Sequence, residues 1–303
     1  MLTHRLATGL TLTGLFLAIL LVDERWLAPW YPLWMTAATL ILGEAARELA
    51  RLLEHTSARP ASAIVISGVL ALVAANVAPH ALAQLGTSAQ AGGMNFDAAA
   101  PLDVLAWPLI AFVGVVMTAF LIESIQFTRP GGAMATLSGS ILAITYVGLL
   151  GSFVIQARWL AAPRTSPIPV LMLVATAKGA DIGAYTLGRL AGRHKLWPRL
   201  SPNKTVEGAA GGLILAVLAA VLIAALGRRL GLPSLDQPAA IGYGLLVGVF
   251  AQLGDLMESM IKRDCQQKDA SDTLPGFGGV LDVIDSLLFA GPVAYAYWLL
   301  LGP

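Results

Sequence analysis

A single cysteine, Cys265, stands in 303 residues. One thiol can form neither an intrachain disulfide nor a thiolate cluster for zinc, and between Lys262, Arg263 and Asp264, whose effects on a thiol oppose one another, it reads as a spectator. Histidine is scarce too. His55 and His80 have no metal-ligand companion at helical spacing. Charged residues make up 12% of the chain, against roughly a quarter in soluble domains, which excludes an ordinary soluble fold. The formal net charge of +1 gives no reason to expect a nucleic-acid partner.

What the chain has in place of charge is hydrocarbon: 57% of its residues are hydrophobic and its mean hydropathy is +0.74. Windows near the roughly 20 apolar residues needed to cross a bilayer recur along it. They predict about nine spans, at 6–22, 27–45, 61–80, 104–122, 132–157, 167–188, 209–227, 239–259 and 279–300. The expected fold is an all-α polytopic membrane bundle, with N-terminal helices over 1–160 and a chemistry-bearing region over 161–303. His4 and Arg5 before the first apolar run resemble a signal sequence, but no small-x-small site precedes Asp23, so a retained helix is expected. Placing the N-terminus inside puts 13 Lys and Arg on the cytosolic side against 5 outside. Trp30, Tyr31, Trp34 and Trp107 read as interfacial anchors, Arg47 and Arg51 as headgroup contacts, and the Gly/Ala/Ser-rich stretch 81–103 as an external loop. Glu123 and Arg129, flanking the inner end of the fourth span, are further candidates for substrate contact.

Against that background the polar stretch 254–286 stands out, since ionisable residues beside membrane spans point to function. Asp255, Glu258, Ser259 and Lys262 recur at three and four, which places them on one helix face. The run Pro275-Gly276-Phe277-Gly278-Gly279 cannot continue a helix comfortably and can bring backbone N–H groups to an anion. Asp282 and Asp285 follow, three apart. Carboxylates from two helices with Lys262, Arg263 and Lys268 between them suit a hard cation held together with substrate phosphates. Upstream, Lys178 and Asp181 lie inside the sixth span, where charge survives only when paired or facing a polar cavity; a purely structural pair is the alternative. The basic loop after it ends in Ser201-Pro202-Asn203-Lys204-Thr205 and a helix start at Glu207-Gly208, a combination suited to phosphate.

These blocks resemble the phosphatidate cytidylyltransferase (CDP-diacylglycerol synthase) family. Its pattern has Asp-x-x-Ala-Tyr, met by Asp181 to Tyr185, then Ser-Pro-x-Lys-Thr-x-Glu-Gly, met by Ser201 to Gly208. Next come Ser-x-x-Lys-Arg at Ser259 to Arg263, Lys-Asp at Lys268-Asp269, the Pro-Gly-x-Gly-Gly run, and Asp-x-x-Asp at Asp282 to Asp285. Phe277 stands where the family has His, and Val283 where it has Arg. The resemblance spans about residues 170–290; the first 160 agree in hydropathy alone.

The resemblance implies cytidylyl transfer from CTP to phosphatidate in a bacterial-type inner membrane, with the site facing the cytosol. It implies Mg²⁺ with K⁺ as a second cation, membrane lipids as surroundings, and a homodimer. Asp255, Asp282 and Asp285 are the expected metal holders. Lys262, Arg263, Lys268, Asp269 and Asp181 are the expected catalytic groups, and Ser201, Lys204, Thr205, Glu207, Tyr185, Ser259, Gly278 and Gly279 the substrate contacts. The losses at 277 and 283 leave open a divergent transferase for another lipid phosphate, or an inactive descendant. A transporter lined by Lys178 and Asp181 is the non-enzymatic reading.

Overall fold

The computed structural model describes residues 2–303 apart from 85–100, 129, 161–165, 275 and 277, and only the backbone of 2–7, 83–84 and 101–103. Arg129, Arg164, Pro275, Phe277 and most of the predicted external loop therefore lie outside the described residues. The helices are α1 (Leu2–Val22), α2 (Pro32–Leu53), α3 (Ser62–Gln84), α4 (Pro101–Gln126), α5 (Ala133–Ala143), α6 (Leu150–Gln156), α7 (Ile168–Ala191), α8 (Val206–Arg229), α9 (Gln237–Asp264) and α10 (Val280–Leu301). A π-helical segment, Ile144–Leu149, joins α5 to α6. Two short strands, β1 (Lys195–Trp197) and β2 (Ser201–Thr205), pair antiparallel in the stretch the sequence reads as a loop.

Seven helices among the described residues are long and apolar enough to cross a membrane, α5 and α6 counting as one span, Ala133–Gln156. They match seven of the nine predicted spans. The remaining two predictions fall on α1, whose described side chains begin at Thr8, and on α2, which carries Glu44, Arg47, Glu48 and Arg51 along its second half. The membrane reading is written on α4, where Leu109, Ile110, Val113, Met117, Phe120 and Leu121 are all exposed, an arrangement that water penalises and lipid does not.

The chain divides into two compact units, one of Met1–Gln156 with Cys265–Leu281, the other of Ala157–Asp264 with Asp282–Pro303. In the first, α2 begins at Pro32, and buried Asp23 supplies the carboxylate that its first turn needs: Oδ1 accepts Leu33 N–H at 3.2 Å and Oδ2 accepts Trp34 N–H at 2.7 Å. Trp34 Nε1 then donates to Ile155 O at 3.2 Å. Asn76, Ser152 and Gln156 form a buried amide and hydroxyl network between α3 and α6, the kind of polar glue that holds helices where no hydrophobic force does.

In the second unit small residues let the backbones touch. A Cβ at Gly183 of α7 would collide with the Gly211 carbonyl of α8, so this crossing tolerates hydrogen alone. Such close approach is how membrane helices gain van der Waals contact. Thr205 caps α8, its Oγ1 accepting Gly208 N–H at 3.1 Å.

Candidate active site

The site is built where α9 and α10 meet, with α7 and β2 alongside. Gly254 permits the meeting: a Cβ there would lie 2.7 Å from Asp285 O and 2.9 Å from Phe289 Cβ. The next residue, Asp255, therefore stands beside the first turns of α10. Asp255, Glu258 and Asp285 each bring a carboxylate oxygen within 4.8 Å of the other two. Lys204 Nζ lies 2.8 Å from Asp255 Oδ2, reaching it from β2.

Lys262, one turn beyond Glu258 on α9, bridges two acids. Its Nζ is 2.6 Å from Glu258 Oε2 and 2.5 Å from Asp282 Oδ1. Across the site, Lys178 Nζ donates to Asp181 Oδ2 at 2.9 Å, to Val283 O at 2.8 Å and to Ser286 Oγ at 3.1 Å. Ser286 Oγ in turn donates to Asp181 Oδ2 at 3.2 Å, and Ser286 N–H to Asp285 Oδ1 at 2.5 Å.

These contacts join five carboxylates to three ammonium groups. The cluster carries a formal excess of two negative charges, the complement of one divalent cation. Glu258 supplies a further sign. It is 1% exposed, its Oε2 is taken by Lys262, and its Oε1 is buried without a hydrogen-bond donor. A buried carboxylate oxygen left in that state is costly unless something positive meets it. Three carboxylates with one such oxygen form an oxygen-only set of the kind that suits hard divalent ions.

The structure thus brings together Asp181, Lys204, Asp255, Lys262, Asp282 and Asp285 from the residues expected on sequence grounds, and puts Ser259 half-buried on the same helix. The carboxylate grouped with Asp255 and Asp285 is Glu258, while Asp282 sits against Lys262. Arg263, Lys268 and Asp269 are exposed. Tyr185 is exposed, its hydroxyl accepting from Arg189 Nη1 at 2.9 Å. Glu207 turns back to the 192–194 bend, accepting Arg193 N–H at 3.0 Å and lying 2.6 Å from His194 Nδ1. Ser201 and Thr205 open and close β2, where they pair with Trp197 and Lys195.

Within the first unit, the glycine-rich turn is tied by its own backbone and by α2. Leu274 and Gly278 exchange N–H···O bonds at 2.7 and 3.1 Å, with Gly276 and Gly278 at φ of 84° and 91°, where a side chain would be strained. An anion does sit at this turn, and it is Glu48. Its Oε1 accepts Ser271 Oγ–H at 2.5 Å and Val280 N–H at 3.0 Å, and its Oε2 accepts Leu281 N–H at 2.8 Å. Sequence reasoning assigned Glu48 no such role, because nothing in helical spacing shows which buried carboxylate closes onto a helix start 230 residues later. For Glu258 there was a signal: it shares the face of Asp255 at i+3.

Several known proteins are similar to this chain. A phosphatidate cytidylyltransferase of Bacillus subtilis (strain 168) is 40% identical over 154 residues, 51% of this chain and 55% of that protein. One of Staphylococcus aureus (strain COL) is 33% identical over 185 residues, 61% of this chain and 66% of the relative. An uncharacterized Escherichia coli (strain K12) protein, YnbB, is 38% identical over 174 residues, 55% of each chain. The chain spans about half the length of several curated relatives it matches. The cytidylyltransferase family as a whole matches from residue 3 to residue 301. With nearly the entire length matched, the chain belongs to the cytidylyltransferase family.

Proposed function

We propose that the protein transfers a cytidylyl group from CTP to phosphatidate, forming CDP-diacylglycerol and pyrophosphate. The observation that carries this reading is the grouping of Asp255, Glu258 and Asp285, with the buried, undonated Glu258 Oε1, inside a cluster of five carboxylates and three ammonium groups. A phosphate oxygen of the lipid bonds to the α-phosphorus of CTP while the bond to the α–β bridging oxygen breaks and pyrophosphate leaves. The nucleophile is already an anion near neutral pH, so alignment and charge neutralisation matter more than a strong base. Mg²⁺ bound by Asp255, Glu258 and Asp285 would supply that neutralisation at the nucleotide phosphates.

The lysines do the rest. Lys262, clamped between Glu258 and Asp282, and Lys204, against Asp255, are held in place before substrate arrives, so little ordering is lost when they meet phosphate oxygens. The salt bridge supports Asp282 as the residue that aims Lys262. Arg263 is an exposed cation suited to the second substrate's phosphate, and Lys268 and Asp269, also exposed, keep the roles that the family resemblance implies. Nine crossings with α1 and α2 included, a bacterial-type inner membrane, a cytosolic site and a homodimer complete the reading.

Val283, where the family pattern has Arg, favours a second reading in which another lipid phosphate accepts the cytidylyl group. Purified protein in bilayers, given CTP, Mg²⁺ and either phosphatidate or another lipid phosphate, separates the two by which CDP-lipid forms. Asp285→Asn is the control. Flux of a solute without nucleotide consumption would instead indicate transport.

A further inference from the structure

A lysine in the middle of a membrane-crossing helix is expensive and needs a reason. Lys178 lies at the eleventh residue of α7, and its ammonium has three hydrogens to give. All three find oxygen: the Asp181 carboxylate at 2.9 Å, the Val283 backbone carbonyl at 2.8 Å and the Ser286 hydroxyl at 3.1 Å. A carboxylate, a carbonyl and a hydroxyl at these separations are also the oxygens that a potassium ion collects, and an ammonium group and K⁺ are close in size and equal in charge.

We propose that the Lys178 ammonium is a built-in monovalent cation, filling the place of the potassium that the family resemblance led us to expect, so that the cluster takes one divalent ion and no K⁺. The residues do not fit a separate K⁺ there, since its oxygens are already engaged. The charge balance agrees. Without Lys178, five carboxylates would face two ammonium groups, and a divalent ion would leave one negative charge over. The same positions explain how the chain accommodates Val283. The guanidinium of the family pattern is missing from α10, but a positive charge from the facing α7 reaches the carbonyl of that very residue.

The kinetic part of this inference rests on the transferase reading; the binding part does not. The test uses full-length protein in detergent or bilayers at constant ionic strength, with KCl exchanged for choline chloride. Three quantities are followed: equilibrium binding of ⁸⁶Rb⁺ as the potassium probe, the thermal midpoint, and Mg²⁺-dependent CDP-lipid formation. Wild-type protein is expected to show no saturable Rb⁺ binding and no response of midpoint or turnover to K⁺. Lys178→Met is expected to gain saturable Rb⁺ binding, and to turn over slower by on the order of 10²-fold in choline, with K⁺ restoring part of the loss. Lys178→Gln serves if the Met variant does not fold, and if neither folds the wild-type arm decides alone. Saturable Rb⁺ binding by wild type, or no gain of it in a folded variant, overturns the proposal. Rb⁺ binding gained by the variant of a protein that makes no CDP-lipid sustains it and removes the transferase reading instead.

Discussion

The Glu48 carboxylate accepts the N–H of Leu281 at 2.8 Å across a sequence separation of 233 residues. Buried at 1% exposure, it meets the positive end of α10 and, through Val280 N–H and Ser271 Oγ–H, sets the turn that precedes Asp282.

Replacing it tests how much depends on that contact. Glu48→Ala strands two backbone N–H groups and is expected to cost about 2–3 kcal/mol of stability, read by thermal or denaturant unfolding. Gly279→Ala attacks the same contact from the other side, since a Cβ there would lie 2.6 Å from Glu48 Oε2. Adding Glu48→Asp, one methylene shorter, is expected to restore part of the lost midpoint. A double variant no better than Gly279→Ala would mean that crowding against Glu48 is not the cause.

Glu258 and Asp282 are expected to fail in different ways. Glu258→Gln removes the undonated oxygen from the grouped carboxylates and should weaken Mg²⁺ activation by more than about 10²-fold, beyond what loss of an outer partner costs. Asp282→Asn, acting through Lys262, should raise the KM for CTP while leaving the Mg²⁺ concentration for half-activation nearly unchanged. A shift of that concentration in Asp282→Asn as large as in Glu258→Gln would instead make Asp282 one of the residues that hold the ion.

Divalent ion should stabilise the fold as well as support turnover, because it removes the excess negative charge of the cluster. At a hundred times its dissociation constant the gain is about 2.7 kcal/mol. It is read as a rise in thermal midpoint on adding Mg²⁺ after chelation. Asp285→Asn should show little of that rise.

Gly183→Ala should loosen α7 from α8, since its methyl meets the Gly211 carbonyl. A cost of about 1–3 kcal/mol is expected from overpacking, visible as a lower midpoint in detergent. An unchanged midpoint would show that the helices separate without penalty.

Hydropathy made the membrane bundle legible, because a span needs only length and apolarity, both local properties. The polar blocks were equally plain: Lys262, Asp282 and Asp285 are conspicuous against hydrocarbon, and Asp255 and Glu258 fall on one face by helical period. Helical period does not show which carboxylate pairs with which cation. Asp282 looked equivalent to Asp285 in sequence, yet one meets Lys262 and the other groups with Asp255 and Glu258. The β-hairpin was hidden for another reason: Pro198 and Pro202 within so short a stretch read as a loop, and the pairing of Lys195 with Thr205 depends on where α7 ends and α8 begins.

From the residues alone came the bundle, the acidic and basic blocks and the chemistry they suit, since composition and spacing act through near neighbours. The tertiary structure decided that Glu48 closes the glycine-rich turn, that Glu258 groups with Asp255 and Asp285, and that Lys178 meets the Val283 carbonyl of α10. Each of those depends on how helices far apart in sequence are rotated and how closely they approach; between α9 and α10 the single hydrogen of Gly254 allows that approach, and beside Glu48 the hydrogen of Gly279 does.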